Sequence, residues 1–204
     1  MNKQRLEAFT DGVYAIVITL LILDIRIPDV RPESLGSALV KMLPQVFTYV
    51  LSFFVVAVYW FSHHRVAQQV KLLDGTFVWL NMIWLLFVSV MPFPTALLGR
   101  YPLQPIPTAI YGIDLMLANI TGFIILGYMK NHPELCHGVI DAETFRRQLP
   151  TYAITNGTYL AAVVLGWYLP WASYALYAAV LGWLMVRFAR IPNPLQAAHP
   201  SGRA

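Results

Sequence analysis

A chain of 204 residues with 58% apolar side chains, 12% charged ones and a mean hydropathy of +0.58 is too apolar for a soluble domain, in which about a quarter of residues carry charge. The formal charge of +4 is spread between apolar segments rather than gathered on one patch, which argues against nucleic acid as a partner. The lone Cys136 excludes an intrachain disulfide, and no CxxC or Cys/His spacing suggests a structural metal.

The first apolar run has an ionisable foot. Gly12 to Leu23 carries no charge, and only Tyr14 and Thr19 bring polar atoms, but Arg5, Glu7, Thr10 and Asp11 stand immediately before it. Lys3 and Arg5 ahead of an apolar run resemble a signal peptide. Asp11 interrupts that pattern, and Asp24-Ile25-Arg26 stands where a small-residue cleavage site belongs, so an uncleaved first span at about 6–27 is expected, stopped by Pro28-Asp29. The link that follows holds a candidate short interfacial helix at 34–42. Pro44 suits a first helical turn and opens a second span at about 45–61, ending in Ser62-His63-His64-Arg65.

Gly75 leads into a third span at about 76–98, with a kink expected at Pro92 and Pro94. A fourth, at about 108–129, follows the turn containing Pro102, Pro105 and Pro107. The most hydrophilic stretch, 130–149, has room for a brief surface helix. Pro150 is expected to open a fifth span at about 150–169. Pro170-Trp171 turns into a sixth at about 172–190, closed by Pro192 and Pro194 before a tail expected to be disordered. Spans of ~20 residues each consume the chain almost completely. The expected fold is therefore an all-α integral membrane protein, one membrane domain over 1–204 with six transmembrane helices.

Six spans put both termini on one side. Lys3, Arg5, Arg65, Lys71, Lys130, Arg146, Arg147, Arg187, Arg190 and Arg203 then share that side, against Arg26, Arg31, Lys41 and Arg100 on the other. By the positive-inside rule both termini are expected in the cytoplasm. Trp60, Trp79, Trp167, Trp171 and Tyr101 near span ends fit an aromatic belt, with Trp84 deeper.

Ionisable residues at a membrane boundary are functional candidates by default. Glu7 and Asp11 are four apart and share a helix face, so a partner must come from another helix or another copy; His63, His64, Arg65 and Asn81 are at a suitable depth. A packing cluster and a direct part in transport both fit. Adjacent His63 and His64 point about 100° apart and cannot hold one metal as an i, i+4 pair would. Asp114 and Asn119 lie inside the fourth span, and Asp114 could be protonated, paired with Arg100 or facing water. Ser52, Ser89, Thr121, Thr155 and Ser173 are scattered; Gly112, Gly122, Gly127, Gly157, Gly166 and Gly182 suit close helix packing. No GxSxG, phosphate-cradling loop or HExxH is present, so no enzyme and no cofactor are expected.

The pattern Arg5, then Phe9-Thr10-Asp11-Gly12, then an apolar run ending Leu23-Asp24 resembles the RxxxFSD signature of the bacterial relatives of the lysosomal potassium channel transmembrane protein 175, with Thr10 in place of serine. Trp60-Phe61-Ser62-His63-His64 and Pro92-Phe93-Pro94-Thr95 also resemble that family, as do the length and the six spans. The resemblance implies a homotetramer in a bacterial inner membrane whose four first helices line a central pore for potassium ions. It also implies a constriction at Ile16, further apolar rings at Leu20 and Leu23, and Thr19 contributing to cation preference. Arg5, Phe9, Thr10 and Asp11 with His63, His64, Asn81 and Trp84 would form the motif and an interhelical polar network.

Ile16, Thr19, Leu20 and Leu23 stand at i, i+3, i+4 and i+7, so one helix face can present all of them. Because nearly every position from Val13 to Leu23 is apolar, periodicity alone does not choose that face, and Thr19 could simply bond the carbonyl of Ala15. T-V-G-Y-G and an arginine-rich voltage-sensing helix are both absent. The expected function is a weakly to moderately potassium-selective channel. A proton- or cation-coupled carrier using Glu7, Asp11, His63 and Asp114, and a structural membrane protein without transport, are the alternatives.

Overall fold

The structure, a computed structural model, describes residues 2–190 apart from 27, 139 and 141. Pro192, Pro194, Arg203 and the expected tail lie outside the described residues. The described residues form eight α-helices: α1 Lys3–Leu23, α2 Leu35–Lys41, α3 Leu43–Gln69, α4 Gly75–Val90, α5 Pro92–Arg100, α6 Pro105–Asn131, α7 Ala142–Leu165 and α8 Pro170–Ala189. Short 3₁₀ turns at Pro32–Ser34 and Pro133–Leu135 complete the described elements.

The helix starts follow from local chemistry. The Asn2 side chain accepts from the Gln4 amide at 3.1 Å, and Asp74 accepts from the Phe77 amide at 2.8 Å, so each completes an orphan donor at the start of its helix. Pro44, Pro92, Pro105 and Pro170 sit in first turns, where the missing N–H has no intrahelical partner to lose. Met91 joins α4 to α5, and the break falls at the expected proline pair. There the Thr95 hydroxyl donates to the Met91 carbonyl and also meets the Ser52 hydroxyl of α3, at 2.8 Å each, and Ser52 meets the Tyr111 hydroxyl of α6 at 3.1 Å. Ser52 is thus part of a buried hydroxyl chain tying three helices together at the kink.

Three helix limits differ from the sequence expectation. α1 ends at Leu23 rather than near 27, leaving the helix through a tight turn in which the Ile25 amide bonds the Ile22 carbonyl at 3.1 Å. α3 continues through His63-His64-Arg65 to Gln69, because a helical ladder does not need apolar surroundings, and the Gln68 side chain meets His64 one turn back at 3.0 Å. α7 begins at Ala142 and carries Pro150 in its interior. The proline frees only the Arg146 carbonyl, which lies on an exposed stretch where water can bond it.

Among the described residues, five stretches are long and apolar enough to cross a bilayer: α1, α3, α4 with α5, α6 and α8. α7 is not among them: Glu143, Arg146, Arg147 and Gln148 fill its opening turns, and Thr151, Thr155, Asn156 and Thr158 keep the rest of it polar. α6 is central, packing on α4, α5, α7 and α8, whereas α1 rests against α3, α4 and α5. Two glycines set close approaches. A Cβ on Gly122 would stand 2.0 Å from the Trp84 ring, and one on Gly112 would stand 2.3 Å from the Tyr177 hydroxyl. Gly127, Gly157 and Gly182 face open space, so the packing role expected for all six glycines does not extend to these.

Candidate functional site

α1 has two unlike faces. Leu6, Thr10, Tyr14, Val17 and Leu21 recur at steps of four, four, three and four and are buried against the neighbouring helices. Opposite them, Arg5, Phe9, Gly12, Ile16, Thr19 and Leu23 recur at steps of four, three, four, three and four, and all are exposed. Ile16 is 59% exposed, Leu23 68% and Leu20, at the edge of the stripe, 41%. The stripe rises about 27 Å from Arg5 to Leu23 at ~1.5 Å per residue. Apolar side chains are uncovered along most of it, and no residue lies within 4 Å of a Cβ placed on Gly12. The Thr19 hydroxyl donates to the Ile16 carbonyl at 2.8 Å, not to Ala15. Its proton is therefore committed, and its oxygen is left as an acceptor on the exposed side.

The buried face is held by side-chain bonds at the foot of the helix. Asn81 of α4 donates its amide to the Thr10 hydroxyl at 3.2 Å and meets His63 Nε2 of α3 at 2.5 Å. With the amide given to Thr10, only the Asn81 carbonyl oxygen faces His63, so His63 Nε2 carries the proton. One turn further into the membrane, Trp84 Nε1 donates to the Tyr14 hydroxyl at 2.6 Å, and the His63 ring lies between Tyr14 and Trp84 at centroid distances of 6.2 and 5.8 Å. Thr10 with Tyr14, and Asn81 with Trp84, are one helical turn apart, so two rungs join α1 to α4. Thr10, Tyr14, Asn81 and Trp84 are all buried. An unpaired polar group at such a place costs about 1–3 kcal/mol, which fixes the rotation of α1 and thereby the residues it leaves uncovered.

The remaining residues of the expected network are arranged differently. Asp11 is exposed and accepts from Trp60 Nε1 at 2.9 Å; Trp60, expected only in an aromatic belt, stacks on His64 at 5.5 Å. His64 belongs to this outer pair and not to the Thr10–Asn81–His63 chain. Arg5 and Phe9 are exposed and join neither group. Glu7 is 3.7 Å from Lys3 on its own helix. Asp114 is buried with no hydrogen bond or ion pair among the described residues, so it is not paired with Arg100. No bond links Glu7, Asp11, His63 and Asp114 to one another, and no cluster of metal-ligating side chains occurs among the described residues. Tyr14 was missed as an anchor, although its i+4 spacing from Thr10 was a usable signal.

These features define a multi-pass membrane protein whose first helix is clamped on one face and bare on the other. A family model described as "Endosomal/lysosomal potassium channel TMEM175" matches residues 5–92, the stretch that contains α1 from Arg5 onward and both rungs. The chain is 32% identical to a potassium channel of Streptomyces collinus over 98% of this chain and 100% of that one. It is 38% identical to a potassium channel of a Chryseobacterium strain over 61% of this chain and 64% of that one, so it spans a little under two thirds of that relative. The crystal structure of a lysosomal potassium-selective channel TMEM175 homologue from Chamaesiphon minutus superimposes with a TM-score of 0.79, 28% identity and coverage of 91% of this chain and 97% of that one. The chain belongs to the TMEM175 family of ion channels.

Proposed function

We propose that this protein is a passive potassium channel in which four copies surround a pore lined by the uncovered stripe of α1. The observation that carries the reading is that stripe: an apolar helix face left bare in the single chain while the opposite face is bonded in place. In the single chain Ile16, Leu20 and Leu23 have no packing partner; around a common axis they form stacked apolar rings over about 10 Å. Such a ring gates by dewetting, and an ion must shed part of its hydration to cross it. Potassium sheds water more readily than sodium, so a weak to moderate preference follows without a carbonyl filter. The Thr19 oxygens, with their protons turned to the backbone, would form one acceptor ring that favours a cation between the apolar ones.

α7, at 24 residues, is about 36 Å long, and it packs between α6 and α8. Both features support its crossing the bilayer as a sixth span, with its charged opening turns in the headgroup region. Both termini would then face the cytoplasm of a bacterial inner membrane, as the positive-inside bias supports. Purified protein in potassium-loaded vesicles tests the function. A channel dissipates the gradient far faster than carrier turnover, with current reversing near the potassium equilibrium potential. Flux no greater than in empty vesicles, or saturating coupled exchange, would refute it.

A further inference from the structure

A second feature lies away from α1. Between α3, α6, α7 and α8 is a cavity of about 340 Å³, room for roughly ten waters at ~30 Å³ each. It sits at the end of the bundle where α3 and α8 finish and α7 begins. Three buried side-chain atoms on its wall have no hydrogen-bond partner: Asn119 Nδ2, Thr151 Oγ1 and Thr155 Oγ1. Thr151 is 9% exposed and Thr155 1%. Of the four such atoms among the described residues, three meet in this one cavity, and native proteins retain such groups where a ligand or water completes them.

Three arginines, Arg65, Arg147 and Arg187, line the same space. Arg147 is paired with Glu143. Arg65 and Arg187 have no carboxylate within salt-bridge distance among the described residues and are close enough to repel each other. Arg187 lies 5.7 Å from the centre of the Trp183 ring, and water alone would complete the amide and the hydroxyls but leave both guanidinium groups without an anion. Two guanidinium forks with an amide and two hydroxyl donors are complementary to a polyatomic oxyanion that has several acceptor oxygens. The wall also continues into an apolar groove between α3 and α8, which shares Val58 and Phe188 with the cavity and adds Phe54, Phe61 and Met185.

We propose that this cavity binds a phosphate monoester, a net-anionic headgroup with no choline cation to oppose the arginines, and that the adjoining groove takes the acyl chain of the phospholipid that carries it. The proposal is independent of where the pore runs. It is tested by thermal unfolding of the full-length protein in detergent, titrated with short-chain phosphatidic acid, with phosphatidylcholine of the same chain length, and with inorganic phosphate. Phosphatidic acid should raise Tm saturably, and phosphatidylcholine should not. Arg65→Gln with Arg187→Gln should weaken binding roughly tenfold or more, and the isosteric Thr155→Val severalfold, while Thr155→Val leaves potassium flux in phosphatidylcholine vesicles at the wild-type level. Equal shifts from phosphate and phosphatidic acid would uphold the oxyanion site and remove the groove from it. No saturable shift of the wild-type protein with either probe, or shifts unchanged in both variants, would overturn the proposal. Wild-type protein that binds phosphatidic acid yet carries no potassium flux would count against the proposed channel function and leave this site standing.

Discussion

Gly122→Ala is the sharpest probe of how the first helix is held. The added methyl would stand 2.0 Å from Trp84 Cζ3 and 2.7 Å from Cη2, so the indole must move. It has little freedom to do so, because its Nε1 is bonded to Tyr14 and its ring is packed against His63 and Tyr59. Overpacking of this kind costs about 1–3 kcal/mol, and loss of the Trp84–Tyr14 bond adds about 0.5–1.5. Gly122→Ala should therefore destabilise the fold by roughly 2–4 kcal/mol. Trp84→Phe removes the atoms that clash, so Gly122→Ala in that background should cost almost nothing, giving a coupling of about 2–4 kcal/mol. Reversible unfolding of the four proteins in mixed micelles containing sodium dodecyl sulfate measures the cycle. Additive effects would refute the account of Trp84 as a wedge locked against Gly122.

Three further outcomes are expected. Ile16→Asn should wet the constriction and raise potassium flux or lower selectivity in vesicles, and unchanged currents would remove Ile16 from the ion path. Asn81→Leu leaves the Thr10 hydroxyl and the His63 Nε2–H without their partner and should cost roughly 2–6 kcal/mol in the same unfolding assay; wild-type stability would show that this rung does not hold α1. Asp74 lies outside the spanning segments, and its bond from the Tyr128 hydroxyl, with the Phe77 amide, holds its carboxyl below the usual carboxylate value. Its contribution is then fully present above the unfolded pKa of about 3.9 and is lost as pH falls below it. Asp74→Ala should cost about 1 kcal/mol at pH 7, and that difference should shrink on acidification through pH ~4; a difference independent of pH would exclude the carboxylate as its source.

Much of the arrangement was legible in the sequence because apolar length and proline position speak directly. The kink at Pro92 and the short helix after Pro32 both followed from residues close together in the chain. The orientation of α1 did not, since a uniformly apolar run has no preferred face until Asn81 and Trp84, about seventy residues away, bond Thr10 and Tyr14. Periodicity carries no information about such a partner. The limits of α3 and α7 differ for another reason: His63-His64-Arg65 was read as closing the second span and Pro150 as opening the fifth, whereas the helices run on through both. Ser52 appeared isolated because its partners, Thr95 and Tyr111, lie on other helices.

The central claim is that the bare face of α1 lines the ion path, and cysteine modification tests it most directly. With cysteine placed at Ile16, and separately at Trp79, which is 70% exposed on α4, a charged methanethiosulfonate reagent is applied to channels carrying potassium current. The account predicts that current through the Ile16→Cys protein is blocked or strongly altered while the Trp79→Cys protein is unaffected. Modification of Ile16→Cys that leaves the current unchanged would contradict it.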